Sequence, residues 1–303
     1  MGRPLKIGVQ LPEVERRVAW SELRKMAELA EGMGLDSVWV GDHLLYRDDG
    51  RPDRGPWEAW SLLSALAAVT ERVEIGPLVA ATGFHAPAMI AKKAATIEEI
   101  SGGRLILGLG AGWNEPDYGA FGFAFDHRVS RFEESFTIIR ELLRTGHSTF
   151  RGTYHQLDRG RLMPVGPRRG GPPLMVGSMG QRMLRITLPH VDAWNAWGPW
   201  FGNSVEGYLA LRDTIDQACL DVGRDPAEVE RTVALLVSLP GAVGRRSDVT
   251  DEPFEPIPGD PERLASTLRA FADAGVAHVQ LVLDPITIES IAALEPILAA
   301  LDG

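Results

Sequence analysis

One cysteine, Cys219, occurs in 303 residues, so the chain can form no internal disulfide. No Cys/His set has the spacing of a structural zinc site, and His85, His127, His147, His155, His190 and His278 are scattered, so no metal centre is expected. No run of about 18 apolar residues is present. The opening MGRPLKIGVQLPE carries neither the apolar core of a secretory signal nor a lipidation pattern, which makes a cytoplasmic protein without a membrane span the expectation. Basic residues are the minority charge: 31 Lys and Arg against 41 Asp and Glu leave a net charge of −10. That balance argues against unspecific attraction to nucleic acid or anionic membranes.

What the chain has in quantity is glycine (33) and proline (21), spread as punctuation, in a composition 45% hydrophobic and 24% charged. It can bury a large core, and no tract reads as a flexible linker, so residues 1–303 are expected to form one domain. Apolar runs of strand length at 5–11, 37–41, 73–79, 105–109, 174–177, 191–196, 232–239 and 278–283 alternate with stretches of helical periodicity at 20–33, 58–70, 87–100, 128–145, 180–189, 204–221, 261–274 and 286–301. This is the signature of an α/β protein with a parallel sheet. Eight strand–helix pairs predict a TIM (β/α)8 barrel, with insertions after the fourth strand (111–127) and after the fourth helix (146–173). A hairpin is expected at 148–157. In the first helix Trp20, Leu23, Met26, Ala27 and Ala30 share one face, and Gly34 can end it in a left-handed conformation. Met33-Gly34-Leu35-Asp36-Ser37-Val38 is echoed by Ala274-Gly275-Val276-Ala277-His278-Val279, each at a helix-to-strand join.

Three joins could carry chemistry. Asp42 and His43 follow the second strand, where barrel enzymes hold reacting groups, and an imidazole can give or take a proton near neutral pH. Gly108-Leu109-Gly110-Ala111-Gly112 follows the fourth strand, but its third glycine comes one residue too early for a dinucleotide fingerprint. Trp113-Asn114-Glu115-Pro116-Asp117 does not read as the start of an amphipathic helix. These glycines either admit a flat ligand to the backbone or only form a tight turn. Gly177-Ser178-Met179-Gly180-Gln181-Arg182 leaves the fifth strand and enters a helix, a candidate phosphate cradle with Arg182 and Arg185 nearby. Tyr118, Phe121, Phe123 and Phe125, and Trp194, Trp197 and Trp200, either wall a pocket or pack in the core.

Gly41-Asp42-His43, the stretch 75–79 followed by His85-Ala86-Pro87, and the block 101–115 ending Gly110-Ala111-Gly112-Trp113-Asn114-Glu115 together resemble the bacterial luciferase-like superfamily. The branch they resemble most is that of coenzyme F420-dependent oxidoreductases, over residues 5–200 and more loosely 259–283. The resemblance implies a TIM barrel binding a deazaflavin across its C-terminal face and passing hydride between its ring and a small organic substrate. It implies His43 as proton donor or acceptor, with Asp42 and Asn114 in the same pocket and the cofactor phosphate on Gly177, Ser178 and Met179. It also implies a non-proline cis peptide pressing the ring, here at Pro77–Leu78, with Ala80 standing where many relatives place a hydroxyl. A homodimer is implied as well. Arg168, Arg169, Arg182 and Arg185 could meet an anionic tail. The rival readings are an FMN-dependent monooxygenase on the same barrel and a flavin- or deazaflavin-binding protein without turnover.

Overall fold

The computed structural model describes residues 3–47, 50–242 and 254–302. The alternation of the sequence becomes a ring of parallel strands: β1 (Lys6–Gln10), β2 (Ser37–Val40), β3 (Glu74–Pro77), β4 (Ala80–Ala81), β5 (Leu107–Gly110), then, beyond an antiparallel hairpin of β6 (His147–Arg151) and β7 (Gln156–Arg161), β8 (Leu174–Gly177), β9 (Ala193–Trp197), β10 (Glu230–Ser238), a short β11 (Ile257–Pro258) and β12 (His278–Asp284). The order around the sheet is β3-β2-β1-β12-β10-β9-β8-β5-β4. Ile75 closes the ring, its amide donating to the Arg104 carbonyl (3.0 Å) and its carbonyl accepting from the Ile106 amide (2.9 Å). β3 and β4 are thus one barrel strand interrupted at Leu78–Val79, and the eight expected strands are all present.

The helices are α1 (Trp20–Gly32), α2 (Ala59–Val69), α3 (Pro87–Ser101), α4 (Glu115–Phe121), α5 (Arg128–Thr145), α6 (Gln181–Thr187), α7 (Val205–Asp221), α8 (Pro261–Asp273), α9 (Ile288–Ala292) and α10 (Glu295–Asp302). Strand residues alternate between two environments, because successive side chains point to opposite faces. Ile7 and Val9 join the helix layer, whereas Gly8 faces inward beside Ser37 and Trp39. The barrel interior is packed by Trp39, Ile106, Met175 and Ala193. The echo at 33–38 and 274–279 is physical: Gly34 (φ +87°) and Gly275 (φ +92°) are both left-handed, and Leu35 and Val276 each donate back to the carbonyl five residues earlier.

Four expectations change. Trp20 does not share the buried face of α1 but is 38% exposed, because it opens the helix ahead of the face built by Leu23, Met26, Ala27 and Ala30. The helix expected at 286–301 is split into α9 and α10, since Pro296 cannot donate within a continuing helix. Residues 115–121, read as non-helical, form α4, with Pro116 in its first turn, acids at Glu115 and Asp117, and left-handed Gly122 after it. Arg168 and Arg169 lie on a cavity at the N-terminal end of the barrel, because the segment carrying them precedes β8. There Arg168 pairs with the fully buried Glu98 (Nε–Oε2 2.7 Å), whose other oxygen takes the Leu105 amide (3.0 Å).

Candidate active site

The loops leaving the C-terminal ends of the strands enclose a cavity of about 500 Å³. It reaches from Asp42 and His43 past Leu78 and Val79 to Gly177, Ser178 and Met179, so chain segments far apart in sequence meet in one slot. Pro77, Ala80 and Asn114 are not on its wall; Ala81 takes the place expected for Ala80. The non-proline cis peptide joins Leu78 to Val79, one residue beyond the expected Pro77–Leu78 bond. Behind it, Gly108 and Gly110 face the Val79 side chain, where added Cβ atoms would come within 2.9 and 2.8 Å of its methyl groups. These glycines therefore seat the interrupted strand in the barrel, and the cavity receives the wall they make possible.

His43 is held from a distance in sequence. Its Nδ1 lies 2.7 Å from Asp117 Oδ2, and the Asp117 side chain is wholly buried. The other carboxylate oxygen takes the amides of Leu44 (3.1 Å) and Leu45 (2.5 Å), while Asn114 donates to the Leu45 carbonyl (2.8 Å). α4 thus clamps the loop after β2 and holds the His43 ring by Nδ1. Asp42 is fixed separately: its Oδ2 accepts from the Ala81 amide (2.9 Å).

Burial opposes a charged His43, but the carboxylates of Glu13, Asp117 and Asp42 outweigh it and raise its pKa above the ordinary value. Asp117 is likewise buried, yet the hydrogen bond and charge of His43 hold its carboxyl below the usual range. Glu13 is 7% exposed and reaches this cluster through a gap at Gly41, where a Cβ would meet its carboxylate at 2.3 Å. The sequence reading missed Glu13 and Asp117. The signals that could have found them were the Asn114–Pro116–Gly122 helix punctuation and the glycine ahead of Asp42.

Tyr46 and Trp113 flank His43, with ring centroids 4.8 and 5.3 Å away, and Trp113 is 42% exposed at the mouth. Tyr118, Phe123 and Phe125 pack with Phe84 beneath the wall, whereas Trp197 and Trp200 line the cavity. At the far end, buried Trp194 donates to the Ser178 carbonyl (2.8 Å) and fixes the turn into α6. Asn195, on the cavity wall, spends its amide hydrogens on Thr232 (2.8 Å) and Gln280 (2.7 Å), which orients its carbonyl oxygen as the available acceptor. Arg182 instead pairs with Glu133 on the surface (2.7 Å). Among the described residues no group of three or more His, Cys, Asp or Glu could hold a metal ion, and no helix is long and apolar enough to cross a membrane.

Comparison with known proteins matches this architecture. The chain is 31% identical over 276 residues to phthiodiolone/phenolphthiodiolone dimycocerosates ketoreductase of Mycobacterium tuberculosis, spanning 84% of this chain and 70% of that protein. It is 38% identical over 164 residues to F420-dependent glucose-6-phosphate dehydrogenase of Amycolatopsis mediterranei, half of this chain and 48% of that protein. Its fold is that of an F420-dependent secondary alcohol dehydrogenase solved with an F420-acetone adduct (TM-score 0.80, 19% identity, all of both chains) and of a coenzyme F420-dependent tetrahydromethanopterin reductase from Methanopyrus kandleri (TM-score 0.76, 18% identity, 98% of each). The model of the luciferase-like monooxygenase family matches residues 6–257, and the chain belongs to that family.

Proposed function

We propose that the protein is an F420-dependent oxidoreductase acting on a small organic substrate. The observation that carries this reading is the single slot joining a half-buried, carboxylate-supported His43 to the turn at Gly177–Met179. The residues present fit the cofactor. Leu78 and Val79 offer an apolar wall for a flat ring, Asn195 offers an acceptor to a ring N–H, and the turn pinned by Trp194 offers backbone to a phosphate. When bound, the deazaflavin supplies hydride transfer.

The chain's own residues do the rest. Asp117 holds the His43 ring by Nδ1, so that Nε2 can give a proton to a substrate oxygen during reduction or take one during oxidation. Glu13 and Asp42 favour the charged imidazole over the neutral one, which suits it to donate. Leu78, Val79, Trp113 and Trp197 shield the reacting atoms from water. In this reading residues 1–303 act as one cytoplasmic domain, paired as a homodimer. That last part rests on the family resemblance alone, and a clean monomer by light scattering would remove it.

Titration of the purified protein with F420 and with FMN tests the assignment. F420 is expected to bind more tightly and to support turnover. Tighter binding of FMN, with oxygen-dependent turnover, would replace the proposal by a flavin monooxygenase; binding of F420 without turnover of any substrate would leave a carrier.

A further inference from the structure

Behind Asp42, on the side away from the cavity, stands a second imidazole. His85 follows the short turn Thr82–Phe84, and its side chain is 13% exposed. Its Nε2 accepts the indole N–H of Trp60 (3.0 Å) and lies 3.6 Å from Asp42 Oδ2; its Nδ1 lies 3.1 Å from Lys93 Nζ on α3. Lys93 in turn sits over the Trp60 ring, 5.0 Å from its centroid. The charged groups facing this cluster are Asp42 from the end of β2 and Glu58 from the start of α2.

A neutral imidazole has one lone pair. Trp60 claims it at Nε2, so Nδ1 must carry the ring proton and donate it, and Lys93 can accept only as an uncharged amine. If Lys93 is instead an ammonium, it needs the lone pair at Nδ1. The ring proton then belongs on Nε2, where it faces the Asp42 carboxylate, and Trp60 loses its acceptor. The balance is one proton. The first state holds two hydrogens on Nζ and one on Nδ1, and the second holds three on Nζ and one on Nε2, the extra proton coming from solvent.

We infer that Lys93 and His85 are positioning residues for Asp42: a proton gained at Lys93 switches the His85 tautomer and presents Asp42 with an N–H in place of a lone pair. Burial pushes the Lys93 ammonium below the ordinary lysine value against the pull of Glu58 and Asp42, the direction that favours the first state. Because Asp42 is one of the carboxylates that favour charged His43, the switch reaches the cavity as a change in that support. Its effect on turnover rests on the functional reading above; the switch itself does not.

Side-chain nitrogen NMR of the full-length protein across pH, in the absence of cofactor, separates the two. The parent is expected to show His85 protonated on Nδ1 at high pH and on Nε2 once Lys93 has gained its proton. Lys93→Met should abolish that pH-linked exchange, and Trp60→Phe, which frees Nε2 from its donor, should favour the Nε2–H form throughout. In turnover, Lys93→Met should remove one inflection from the pH profile of kcat/KM while leaving cofactor affinity intact. A parent His85 protonated on Nε2 across the whole range, or a Lys93→Met protein that still exchanges tautomers as the parent does, overturns the inference whatever the cofactor proves to be.

Discussion

At the N-terminal floor of the barrel His278 is fully buried, with Ser37 Oγ 2.7 Å from its Nε2, and Ser37 in turn accepts the Trp39 indole N–H (2.7 Å). At the C-terminal mouth His43 has Asp117 on Nδ1, with Glu13 and Asp42 close by. Burial, helped by Lys6, pushes the floor histidine down to about 3, whereas at the mouth three carboxylates overcome burial and push the other up. The same side chain is a neutral packing piece in one place and, in the proposed function, a proton carrier in the other. What differs is whether acid side chains share the desolvated space.

The largest expected effect tests the mouth. His43→Ala should lower kcat/KM with reduced F420 about 10²–10⁴-fold, the usual worth of a placed acid or base. Thermal unfolding should shift as well, because the buried Asp117 carboxylate loses its partner. Asp117→Asn, which leaves His43 without its anionic partner, should cost less in rate but pull the pH profile of turnover toward acid. Trp39→Ala makes the converse test at the floor. It should cost about 3–5 kcal/mol of stability by opening a cavity in the barrel interior, measured by denaturant unfolding, with KM for the cofactor little changed in protein that remains folded.

A smaller effect sharpens the contrast through pH. The folded pKa of His278 lies below its unfolded value, so as pH falls from about 6.5 toward about 3 the unfolded chain takes up a proton that the folded chain refuses. Stability should fall there by up to about 1.4 kcal/mol per pH unit, a loss that His278→Gln removes. For His43 the sign reverses, because its folded pKa is raised. Its contribution is fully present below the ordinary histidine value and is lost as pH rises through the folded one, and His43→Gln removes that contribution. Difference curves of variant minus parent stability should therefore bend in opposite directions.

Much of this was legible in the residues. Apolar runs of strand length located each barrel strand, and period-three-to-four patterning the faces of most helices, since local geometry is set by neighbours in sequence. His43 and the Gly177–Met179 turn could be placed because barrel topology sends every strand's C-terminal end to one face. Asp117 was hidden because its pairing with His43 spans 74 residues, and α4 looked too short and too polar to be read as a helix. Glu13 was hidden because nothing local to it says that Gly41 leaves it room. Arg168 misled because a guanidinium carries no mark of which end of the barrel it serves; only Glu98, 70 residues away, decides that.

A crystal structure of the protein with F420 bound tests the central claim most directly. The account predicts the deazaflavin ring against Leu78–Val79 with His43 Nε2 beside the reacting face, and the phosphate on the backbone of Gly177–Met179. A ring bound outside that slot, or a phosphate held on surface arginines with His43 remote from the ring, would contradict it.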